Sequence, residues 1–65
     1  MSSVKITATN KHGETIKARL DEDNKWHATI STHRGLTIAH LINEGPRELL
    51  NFAHDYEFDL EGLVN

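Results

Sequence analysis

Five histidines stand in this chain of 65 residues, His12, His27, His33, His40 and His54. Imidazole is a common metal ligand and proton shuttle, and its spacing decides whether several can act together. No two are separated by two or four residues, the offsets that would align them on one strand or helix face, and there is no cysteine to complete a ligand set. Nucleophilic catalysis needs a hydroxyl or thiol beside a base and an orienting acid. Ser31 and His27 share one strand face, but that face opens onto solvent with no wall to exclude water. The carboxylates Asp55, Glu57, Asp59 and Glu61 follow one another along a segment that pairs no two of them in a cleft. No glycine-rich phosphate loop is present. These patterns designate no catalytic residue, no metal ligand and no cofactor, and the expectation is a protein that is not an enzyme.

Two charged groups remain. Lys5, Lys17, Arg19, His27 and Thr29 fall on one face of the strands read below, among the hydroxyls of Thr7, Thr9, Thr15, Ser31 and Thr37. Cations interleaved with hydroxyls suit contact with nucleic acid, and they equally suit a solvated strand face. The second group is acidic: Glu48, Asp55, Glu57, Asp59 and Glu61. It could dock on a basic groove of a partner, or it could solvate the back of a helix. Residues 1–42 carry a net charge of +2 and residues 43–65 carry −5, for a total of −3. Such a split describes a molecule with two electrostatic faces.

The elements that position these groups are set by three turn signals at matching offsets: Lys11-His12-Gly13, Glu22-Asp23-Asn24 and His33-Arg34-Gly35. Each is a three-residue loop ending in Gly or Asn, as a type I turn closing through a left-handed residue requires. Between the loops apolar residues fall on even numbers, which predicts strands at about 4–9, 15–21 and 25–32. Residues 36–42 read as a strand with Leu36, Ile38 and Ile42 inward, or as a helix grouping Ile38, Leu41 and Ile42. The strand is favoured because His33-Arg34-Gly35 repeats the first loop in length and ending.

Pairing across these loops predicts inner rows Val4–Leu20–Trp26–Ile42, Ile6–Ala18–Ala28–His40 and Ala8–Ile16–Ile30–Ile38. The outer rows are Lys5–Arg19–His27–Leu41, Thr7–Lys17–Thr29–Ala39 and Thr9–Thr15–Ser31–Thr37. His40 is then a partly buried histidine on an apolar face. Gly45 as cap, Pro46 at the first helical position and Glu48 at the third predict a helix at about 46–56, with Leu49, Phe52, Ala53 and Tyr56 as its apolar stripe. Residues 57–65 are expected to add a short C-terminal helical turn that closes the core. The fold expected over 1–65 is one α+β domain: a four-stranded antiparallel meander in order 1-2-3-4 with one helix packed on one face.

The run Lys25-Trp26-His27-Ala28-Thr29-Ile30, then Gly35, then the helix ending Ala53-His54-Asp55-Tyr56 resembles, at the level of pattern, the AP2-type and integrase arm-binding domains. Those carry a Trp-x-Ala-x-Ile-like strand and an Ala-rich helix behind a sheet. The resemblance covers roughly residues 15–56 and implies a sheet face that reads DNA. The chain departs from the pattern: only Lys17 and Arg19 stand where that family's sheet is rich in arginine, no aromatic lies on the outer face, and the net charge is −3.

Absence of cysteine in so short a chain favours a reducing compartment, and Met1-Ser2-Ser3-Val4-Lys5 does not read as a signal peptide. The longest apolar-rich stretch, 36–42, is too short to span a bilayer. The leading expectation is a cytoplasmic interaction protein that binds another protein, as inhibitor or adaptor, through the acidic segment Glu48, Asp55, Glu57, Asp59 and Glu61 or through a sheet edge. The alternative is a nucleic-acid-binding module using Lys5, Lys17, Arg19, His27 and Thr29. No membrane partner is expected, and the chain is either a monomer or an edge-to-edge homodimer.

Overall fold

The loops organise the molecule. In the computed structural model, which describes residues 4–60, Asn10, Asp21 and Thr32 each open a turn of the same construction. The backbone N–H of each donates to the carbonyl four residues on, at 3.1, 2.9 and 2.8 Å, and its carbonyl accepts from the N–H three residues on, at 3.2, 3.1 and 2.8 Å. The fourth residue of each is left-handed: Gly13 at φ 78°, Asn24 at 61° and Gly35 at 87°. The side chain that opens each turn then takes two backbone N–H groups. Asn10 Oδ1 accepts from His12 and Glu14, Asp21 Oδ1 from Asp23 and Lys25, and Thr32 Oγ1 from Arg34 and Leu36.

These turns join β1 (Lys5–Thr9), β2 (Thr15–Leu20), β3 (Trp26–Ser31) and β4 (Thr37–Glu44) into one antiparallel sheet in order β1-β2-β3-β4, followed by α1 (Pro46–Asp55). The fold is the expected α+β meander with one helix, and residues 37–44 are strand, not helix. Register across β1, β2 and β3 follows the alternation: Ile6↔Ala18↔Ala28 on the inner face, Lys5↔Arg19↔His27 and Thr7↔Lys17↔Thr29 on the outer.

β4 departs from it. Ser31 pairs with Thr37 as expected, but Ile30 then pairs with Ala39, so Ile38 is an extra residue in the ladder. One inserted residue reverses the face of the residues after it until a second irregularity intervenes. Ala39 and Leu41 therefore pack on the core, and His40 stands on the outer face beside Thr29. Three inner rows are corrected accordingly. Ile38, Ile42 and His40 do not face the core, and Ile38 and Ile42 remain 41% and 60% exposed. Leu36 and Val4 are also largely outside, Leu36 ahead of β4 and Val4 ahead of β1 on the sheet margin. A second irregularity opposes His27 with Ile42 and Asn43, the latter at φ 63°, and it delivers Glu44 opposite Trp26.

Gly45 caps α1 in extended conformation with Pro46 directly after it. Leu49 and Ala53 are buried, with Leu50, Phe52 and Tyr56 partly so. At the far end the Phe58 N–H reaches the Ala53 carbonyl and the Glu57 N–H reaches that of His54, with Glu57 left-handed at φ 64°. This is a Schellman ending, usually built on glycine. It turns the chain back so that Phe58 and Leu60 complete a core of Ile6, Ile16, Ala18, Trp26, Ala28, Ile30, Leu49 and Ala53. The expected C-terminal helical turn does not form over residues 58–60, because the left-handed Glu57 turns the chain back to bury Phe58 and Leu60; residues 61–65 lie outside the described residues.

Candidate functional site

α1 covers one face of the sheet, and the opposite face holds a shallow groove of about 560 Å³. Each strand contributes to it: Lys5 from β1, Lys17 and Arg19 from β2, His27 and Thr29 from β3, His40 and Ile42 from β4. The five residues singled out on this face in the sequence are thus brought together. His40 and Ile42 join them because of the β4 reversal. The expected partly buried His40, hydrogen-bonded to the helix or the C-terminal segment, is not found: His40 is exposed on the outer face, where an imidazole needs no buried partner.

Lys5 and Arg19 are direct cross-strand neighbours, and Arg19 in turn opposes His27. Opposed side chains in a ladder stand about 4.5–5.5 Å apart at Cβ, and like charges there destabilise the pair. Among the described residues, Lys5, Lys17 and Arg19 have no ion-pair partner. The acid at the groove's end, Asp21, is already engaged. Its Oδ2 lies 2.6 Å from His27 Nε2, while Oδ1 holds the turn. The hydrogen bond from His27, and then that from the Lys25 N–H, hold the Asp21 carboxyl below its ordinary range.

No family model matches the chain, and no curated protein or solved structure matches it significantly.

The acidic residues are arranged differently. Glu57 Oε1 takes Lys11 Nζ at 2.8 Å and its Oε2 takes His12 Nε2. These contacts, Lys11 first, lower the Glu57 carboxyl and raise the Lys11 amine. Glu48 lies in the first turn of α1 and Asp55 at its last residue, about 10 Å apart along the axis at 1.5 Å per residue. Asp59 is exposed, and Glu61 lies outside the described residues. Both oxygens of Glu57 are therefore committed inside the chain, where they tie the first hairpin to the end of the helix. Among the described residues no three His, Cys, Asp or Glu side chains are grouped to hold a metal ion, and no helix is long and apolar enough to cross a membrane.

Proposed function

We propose that this chain is a non-enzymatic, cytoplasmic protein-interaction module, an inhibitor or adaptor, that receives an acidic and partly apolar segment of another protein across its open sheet face. The observation that carries this reading is the cluster of Lys5, Lys17 and Arg19, which have no ion-pair partner among the described residues and are bordered by exposed Ile42. Adjacent like charges cost stability, and a surface that keeps them together suits a partner supplying the opposite sign. The aliphatic border favours a protein over a nucleic-acid backbone, and the net charge of −3 lacks the basic footprint of an autonomous nucleic-acid binder. A small core held without disulfides fits the cytoplasmic setting.

The test is an amide NMR titration with two probes, a short peptide alternating Glu and Val and a mixed-sequence DNA duplex, each at about 50 mM and about 200 mM salt. Peptide-induced shifts are expected at Lys5, Lys17, Arg19, His27, His40 and Ile42, and Lys17→Glu with Arg19→Glu should remove them. Duplex binding that is tighter than peptide binding at both salts would assign the face to nucleic acid instead. Peptide binding that survives the double substitution would remove the groove from consideration. A complementary basic peptide, with Val alternating with Lys, probes the acidic segment. Binding of that peptide, lost when Asp55, Glu57 and Asp59 become Lys, would assign recognition to the helix end.

A further inference from the structure

The two edges of the sheet are built differently. β1 is five residues long and carries Lys5. Short length and a lysine are two of the protections strand edges use against pairing with another strand. β4 is eight residues long, has no Lys, Arg or Pro, and carries no formal charge before Glu44 apart from what His40 takes up. Its polarity is symmetric about His40. Ala39 and Leu41 flank it inward, Ile38 and Ile42 flank them outward, and Thr37 and Asn43 follow. The two ladder irregularities, at Ile38 and at Ile42–Asn43, lie on either side of the same residue.

We propose that β4 pairs with β4 of a second copy of this chain, antiparallel about a two-fold axis at His40, to form one continuous eight-stranded sheet. In that register Ile38 of each copy opposes Ile42 of the other, so both exposed isoleucines gain an apolar neighbour, and Ala39 opposes Leu41. Glu44 then lies level with Leu36, next to the turn that carries Arg34. Arg34 and Glu44 have no ion-pair partner among the described residues, and the two-fold brings these opposite charges to the same end of the strand pair twice. The carboxylates stand at opposite ends of the shared strand pair, so they do not repel. An isologous contact of this kind closes at two copies, with the short β1 strands left as the outer edges. The proposal does not depend on which ligand the basic groove takes.

The chain's lack of cysteine makes the register directly measurable. Opposed residues stand about 4.5–5.5 Å apart at Cβ, within the span a disulfide closes after small adjustment. Under mild oxidation His40→Cys should cross-link to itself at least about tenfold faster than a Thr9→Cys control on the opposite edge, because pairing raises the effective thiol concentration. Ile38→Cys should cross-link with Ile42→Cys in preference to itself, with one of them nitrogen-15 labelled so that mass spectrometry separates the products. Sedimentation from about 10 µM to about 1 mM should show the 7.4 kDa chain passing to twice that mass. Ile42→Lys should remain monomeric with an unchanged circular dichroism spectrum. A wild-type monomer throughout the range overturns the proposal. So does a dimer in which His40→Cys cross-links no faster than the control, since the copies then meet elsewhere.

Discussion

Asn10 carries more of the fold than its half-exposed position suggests. Its Oδ1 accepts from the N–H of His12 and of Glu14, both at 3.0 Å. Its Nδ2 donates to Glu14 Oε1 at 2.8 Å and to the Tyr56 carbonyl at 2.6 Å. One side chain thus closes the first turn and binds the end of α1. Thr32 makes only the local contacts, both at 3.3 Å. Asn10→Ala should therefore lower unfolding free energy by about 1–3 kcal/mol, because a partly buried carbonyl and two backbone donors lose their partner together. Thr32→Ala should cost less than about 1 kcal/mol. Urea unfolding followed by the fluorescence of buried Trp26 measures both, and equal losses would show that the link to Tyr56 contributes nothing. At this scale the sequence was legible in the third position of each loop, Gly13, Asn24 and Gly35, since a left-handed residue restricts composition sharply. The opening residues Asn10, Asp21 and Thr32 recur every eleven residues in step with the loops, but their side-chain closure of the turns came only from the structure. So did the second role of Asn10, because the Tyr56 carbonyl is 46 residues away and nothing local specifies it.

Among the elements, β1, β2 and β3 were readable because each buries one face and solvates the other, so a slip would place lysines in the core. β4 gives no such signal. Ile38-Ala39-His40-Leu41-Ile42 offers apolar residues to both faces, and an added residue at Ile38 decides between them. The reversal is directly testable. Leu41 packs on the core and Ile42 is 60% exposed. Leu41→Ala should destabilise the monomer by about 2 kcal/mol, while Ile42→Ala should stay within about 0.5 kcal/mol. The register read from simple alternation requires the opposite order, so one pair of unfolding curves at low protein concentration discriminates. The same reversal explains why the candidate groove was only partly legible. Its basic members lie on strands whose faces were clear, and its His40 and Ile42 members lie on the strand whose face was not.

Across the whole molecule, contacts between Asn10–His12 and Tyr56–Glu57 join the first hairpin to the helix end, and they include charge. The Glu57 carboxyl is held below its ordinary value of 4.5 by Lys11 and then His12, and Asp21 below 3.8 by His27 and then the Lys25 N–H. A carboxyl whose pKa is lower in the folded state stabilises the fold above its unfolded value, and that stabilisation is lost as pH falls through the folded value. The urea midpoint should therefore hold above about pH 5 and decline progressively below it, with Glu57 entering the decline first because its unfolded value is higher. Lys11 has the opposite sign. Its pKa is raised above 10.5, so its contribution is complete below that value and lost as pH rises through the folded one. Glu57→Gln should flatten the upper part of the acid decline and remove this alkaline loss, leaving the Asp21 portion in place. Lys11, His12 and Glu57 are exposed, so added salt should shrink the wild-type slope toward that of the variant. An acid slope in Glu57→Gln identical to wild type at low salt would mean that the hairpin and the helix end are held by Asn10 alone.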